Sequence, residues 1–147
     1  MSDLYDEDFT LWTEQQAALL RRRASGHLVN DADLDWKNIA EEIEAVGSNT
    51  RRELRNRLAR LLQHMLKWQY QPHHRSRSWR STIRTQRQEI EDLLADNPSL
   101  QSKLSELFLA AYPRARADAL EETGLLGLPQ DPPFTIEQAL RHPLADD

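Results

Sequence analysis

Apolar residues recur every three or four positions along almost the whole chain, and nowhere do they alternate one-in-two over a useful length. That period stacks side chains on one face of an α-helix, so the pattern predicts an all-α fold. Phe9, Trp12, Gln16, Leu19 and Leu20 share a face of a first helix over about 6–24, closed by Ser25-Gly26-His27. Acids in its first turn and Arg21-Arg22-Arg23 in its last suit the helix dipole. A second stripe begins with Ile39, Ile43 and Val46 after Asp33 or Asp35, either of which can cap it. It stays in phase through Leu54, Leu58, Leu61, Met65 and Trp68, although Gly47-Ser48-Asn49 reads as a stop and Thr50 with Glu53 as a new capping box. The prediction is two nearly collinear helices, or one long helix kinked at Gly47, ending near Gln71-Pro72.

After a polar connection over 72–77, Ser78 is placed to cap a helix over about 79–95 that buries Trp79, Ile83, Ile90, Leu93 and Leu94. Asp96-Asn97-Pro98 stops the chain and restarts it, with Pro98 in a tolerated first turn. Leu100, Leu104, Leu107, Phe108, Ala111 and Ala115 line the next helix, which Pro113 should kink or split. A short helix is expected over 135–140, beyond a stretch rich in Gly and Pro. The predicted architecture is a single helical bundle of four to six helices over 1–147, with a long central helical hairpin, roughly 35–71 against 79–95.

Composition narrows the setting. At 147 residues with 39 % hydrophobic content, the chain suits one domain with a real core. It has no cysteine, which removes disulfides, thiol nucleophiles and Cys-ligated zinc. The opening residues are acidic, without the basic-then-apolar pattern of a signal peptide. No apolar run approaches the roughly 20 residues that span a bilayer. These features predict a cytoplasmic protein with no membrane partner.

Charge changes the picture most. Between Arg51 and Arg87 stand eleven Lys or Arg and one acid, Glu53, in a chain whose net charge is −5. Segregation of this kind serves either a surface for an anionic partner or self-neutralisation against the chain's own acids.

Five blocks carry a family likeness. They are Tyr5-Asp6-Glu7-Asp8-Phe9-x-Leu11-Trp12, Ile39-Ala40-Glu41-Glu42-Ile43-Glu44, and His64-x-Leu66-Lys67-Trp68-Gln69-Tyr70-Gln71-Pro72. Ser78-Trp79-Arg80-x-Thr82-Ile83 with Gln86-Arg87, and Asn97-Pro98-Ser99-Leu100, complete the set. Together they resemble the bacterial domain-of-unknown-function family numbered 29, over about 5–140. The resemblance implies a compact helical domain with no established activity, and it assigns no catalytic residue.

The candidate chemistry therefore comes from the residues alone. Arg57, Leu61, His64 and Trp68 share the apolar face of their helix. A guanidinium and an imidazole aimed at a core need partners, because burying them unpaired is costly. The expectation is a satisfied buried polar network, with Arg57 paired to an acid such as Glu42, Glu53 or one on another helix, His64 bonded to a carbonyl or carboxylate, and Arg87 able to pair with Glu41 or Glu44. The alternative is a metal-independent ribonuclease. Arg-x6-His is a spacing used by a helical ribonuclease superfamily of bacterial toxins and CRISPR effectors, in which His moves a proton and Arg steadies the charged phosphorane. Here Leu58 follows the Arg where that superfamily usually has a polar residue.

In a second constellation Arg80, Arg84 and Arg87 line one flank of the Trp79 helix, and His73, His74, Arg75 and Arg77 fill the connection before it. With Tyr70, Trp68 and Trp79 nearby, Arg75, Arg77, Arg80 and Arg84 suit single-stranded nucleic acid or a phosphate ligand, although Trp68 and Trp79 fall on apolar stripes and are more often core than stacking platforms. His73-His74 lacks a His-x3-His or Glu-x2-His companion, so no metal and no cofactor is assigned. The chain reads best as a non-enzymatic binding domain, with nucleic acid, an acidic protein or a second copy of itself as candidate partners.

Overall fold

The computed structural model describes residues 3–145, and every regular element among them is helical. We number six α-helices: α1 (Leu4–Glu7), α2 (Phe9–Ala24), α3 (Trp36–Tyr70), α4 (Arg77–Asp96), α5 (Leu104–Thr123) and α6 (Ile136–Arg141). Short 3-10 turns at Asp31–Asp33, Pro72–His74 and Pro98–Lys103 join them. The all-α expectation holds. The residues divide into two compact units, Met1–Ser48 and Asn49–Asp147, and α3 runs through the boundary.

The first unit has a thin core. Trp12 and Leu34 are its two buried apolar side chains, and Gln16 is buried beside them. Polar bonds do much of the joining. The Trp12 indole donates to Asp35 at 2.9 Å, and Gln16 both donates to the Asp33 carbonyl (3.2 Å) and accepts from the Asp35 amide (2.9 Å). The Tyr5 hydroxyl donates to Glu42. The expected first helix is interrupted at Asp8, whose carboxylate accepts from the Leu11 amide and so caps α2. At the other end Gly26 takes φ +84. There the His27 amide bonds the Arg22 carbonyl and the Gly26 amide that of Arg23, the paired bonds of a Schellman stop.

The second unit is a bundle with a continuous core. Leu54, Leu58, Leu61, Leu62 and Leu66 of α3 are fully buried, with Ile83 and Ile90 of α4 and Phe108, Ala111, Tyr112 and Ala115 of α5. Within this unit α3 and α4 form the expected antiparallel hairpin. Arg57 meets Gln86 and Glu89 at one end, and Lys67 meets Trp79 at the other. Tyr112 donates to the Pro129 carbonyl (2.6 Å) and Arg116 to that of Leu128 (3.1 Å), which ties the Gly/Pro-rich loop onto α5.

Of the two alternatives at Gly47 the single long helix holds: α3 is helical over all 35 residues, so Thr50 and Glu53 start nothing new. Three local expectations are corrected. Ser76, not Ser78, caps α4 by accepting from the Trp79 amide (3.2 Å). Pro98 opens a 3-10 turn, and α5 begins only at Leu104. Pro113 does not split α5: the carbonyl it leaves without an amide belongs to Leu109, an exposed residue where water can serve.

Candidate functional site

The basic segment lies on the second unit, along α3 and α4. Arg57 and Lys67 of this segment form ion pairs with acids among the described residues. Arg57 reaches Glu53 at 3.1 Å and Glu89 at 3.7 Å. Arg87 donates to two backbone carbonyls, Ala139 at 2.8 Å and Gln138 at 3.3 Å. Arg75 donates to the carbonyls of Trp68 (2.9 Å) and Ala145 (3.3 Å). Arg77, Arg80 and Arg84 are exposed and have no carboxylate partner among the described residues.

These three arginines sit on one stripe of α4, within about 60° of one another at 100° per residue. A cavity of about 440 Å³ opens at the head of the stripe, lined by Trp68, Arg75, Ser76, Arg77 and Arg80. A second, of about 250 Å³, follows it past Arg80, Arg84 and Arg87 to Gln88 and Glu91. The Arg80 guanidinium lies 5.2 Å from the Trp68 ring centre, and that of Arg75 lies 4.9 Å from it. Cation–π contact uses the flat face of the guanidinium and leaves its N–H edge available.

Trp68 lies where its apolar stripe puts it: it is only 4 % exposed and donates its indole N–H to the Ala145 carbonyl, so it is floor and not a stacking platform. Trp79 is half-buried beneath the Lys67 ammonium, 4.6 Å from its ring centre. Tyr70, His73 and His74 line neither cavity.

Of the partners expected for the polar residues, Arg57 takes Glu53 and Glu89, an acid of another helix, and His64 takes a backbone carbonyl. Glu42 instead serves Tyr5, Glu41 and Glu44 are exposed, and Arg87 takes carbonyls in place of those acids. Arg57 and His64 do not converge. His64 is buried and donates Nδ1–H to the Arg60 carbonyl (2.9 Å), while Arg57 faces α4. Seven residues put them two turns, about 10 Å, apart along the axis. The cavity that Arg57 lines, with Asn49, Arg52, Glu53, Asn56, Arg60 and Gln86, does not include His64. Burial pushes the His64 pKa below its ordinary value. Nothing here positions an imidazole for proton transfer to a bound phosphate.

A family model describing a domain of unknown function, DUF29, matches residues 4–143. The chain belongs to the DUF29 family. No curated protein and no solved structure shows a significant similarity to it. The match spans both compact units of this DUF29 domain.

Sequence reasoning missed one feature of the domain. Lys67 is 2 % exposed, and its ammonium bonds Glu122 of α5 at 2.7 Å, while Gln63 donates to the same carboxylate at 2.8 Å. Lys67 holds the Glu122 pKa below the usual carboxylate range. The signal was present: Lys67 is the one Lys, Arg, Asp or Glu between Leu61 and His74, and it stands between the apolar residues Met65, Leu66 and Trp68. The described residues contain no His, Asp and Glu cluster suited to a metal ion. None of their helices is long and apolar enough to cross a membrane.

Proposed function

We propose that this DUF29 domain is a binding module whose α4 face contacts nucleic acid. The observation that carries the reading is the state of Arg77, Arg80 and Arg84. Three exposed cations on one stripe have no counter-charge among the described residues, although the chain as a whole has an excess of acids. Self-neutralisation, the other use of segregated charge, is seen at Arg57 and Lys67, away from these three. Unpaired guanidiniums on a rigid helix suit phosphate oxygens, which they meet in a two-pronged geometry. The single family match across both units supports treating the chain as one functional domain. Fluorescence anisotropy with a labelled single-stranded RNA tests the proposal. Affinity should fall linearly in a log–log salt plot while the RNA stays intact on a gel. Absence of binding at low salt would overturn it.

A further inference from the structure

Resting on that reading, we infer that the α4 face grips the sugar–phosphate backbone of the nucleic acid and does not read its bases. A site for unstacked bases needs aromatic faces open to them. The aromatic ring nearest the stripe, Trp68, is 4 % exposed, and the Arg75 and Arg80 guanidiniums already stack on it. Neither cavity on the stripe is lined by another aromatic residue. What the face does offer is donors. The guanidinium edges of Arg77, Arg80 and Arg84 meet no acceptor among the described residues, and the Arg80 guanidinium lies 5.2 Å from the Trp68 ring centre.

The length of the stripe sets how much backbone it can hold. Arg77 to Arg84 spans about 10 Å of helix at 1.5 Å per residue. Successive phosphates of one strand advance about 3.4 Å along a duplex axis, so the three arginines meet about three phosphates. Glu91 then ends the stripe. It lies on the same side of α4, lines the second cavity and is the first acid on that side after Arg84, so the run of free cations stops there. The ligand class is thus a short run of phosphodiester backbone of any sequence.

The test is anisotropy with four labelled probes: a mixed-sequence 20-nucleotide RNA, the matching DNA, an abasic 20-unit deoxyribose-phosphate strand and poly-glutamate. The abasic strand should bind within about threefold of the DNA, with a log–log salt slope near −2 for three single-strand contacts. Replacing Arg77, Arg80 and Arg84 together by alanine should lower affinity for the abasic strand more than tenfold with an unchanged circular-dichroism spectrum. The single variant Arg84→Glu, far from the Trp68 stack, should weaken binding in the same direction. Base-bearing DNA binding ten times tighter than the abasic strand would overturn this inference and leave the nucleic-acid reading standing. Poly-glutamate binding as well as the abasic strand, or no probe binding at all, would overturn both.

Discussion

Two stretches of one helix carry the same apolar pattern and meet opposite fates. In the second unit, Leu54, Leu58, Leu61, Leu62 and Leu66 of α3 are each 0 % exposed. In the first, Ile43 and Val46 keep the same spacing and phase, yet are 69 % and 66 % exposed. Periodicity thus specifies that α3 is a helix and which residues share a side. Whether that side is covered depends on what the rest of the fold supplies. Around 54–68 it supplies α4 and α5. The first unit spends its one long companion, α2, on the Trp12, Gln16 and Asp35 cluster.

The sharpest way to break this contrast is truncation on each half. Leu58→Ala should destabilise the protein by about 3 kcal/mol, from lost transfer energy plus a cavity that close-packed neighbours cannot fully close. Ile43→Ala should cost less than about 0.5 kcal/mol, as at other exposed positions. Urea unfolding of both variants checks this. A large loss at Ile43 that varied with protein concentration would mean that a second copy of the chain covers the first stretch in solution.

The contrast also marks what was legible in the sequence. Helix class, the α3–α4 hairpin, the Gly26 stop and the core positions of α3, α4 and α5 all follow from local period and cap chemistry. Burial of Ile43 was expected and failed, because period carries no information about partners. Ser76 rather than Ser78 became the cap because both are good caps two residues apart, and only the path out of the Pro72–His74 turn decides between them. For the site, Arg80 and Arg84 were readable as neighbours on one helix flank from their spacing, but Arg77 was expected in the connection and joins them because α4 starts at Arg77. That Arg77, Arg80 and Arg84 have no acid partner among the described residues depends on which elements pack beside α4, which spacing does not carry. The Lys67–Glu122 pair joins residues 55 positions apart, beyond the reach of any local rule.

That pair gives the next prediction. Glu122→Gln would leave a cation at 2 % exposure with only neutral partners and the Trp79 face. A fully buried pair broken this way costs about 3–5 kcal/mol, and the half-exposed carboxylate lowers that to about 2 kcal/mol. If the loss were near zero, water would be reaching Lys67 and the second unit would be looser than its apolar core suggests.

Acid should act on the same core through His64. Burial depresses its folded pKa below the ordinary 6.5, so between the two values the unfolded chain binds the extra proton. Stability is therefore fully present above pH 6.5 and falls as the pH drops toward the folded pKa. Glu122, also depressed, adds a second loss at lower pH, below its ordinary 4.5. His64→Gln retains a donor for the Arg60 carbonyl and should flatten the first loss while leaving the second. Urea midpoints from pH 8 to pH 4 would show it. An unchanged slope in the variant would place the titration on another group.

The smallest effect is expected where the two stretches of α3 meet. Gly47 sits in the helix without a positive φ, and a Cβ built on it meets nothing within 4 Å. Glycine in a helix interior costs about 0.5–1 kcal/mol relative to alanine, because the unfolded chain loses more freedom on ordering. No packing inside the chain requires that cost. Gly47→Ala should therefore stabilise the protein by about 0.5–1 kcal/mol, read as a higher urea midpoint with an unchanged slope. A destabilising result would mean that something approaches the backbone there in solution. It would turn the uncovered Ile43 and Val46 side of the helix from bare surface into a contact.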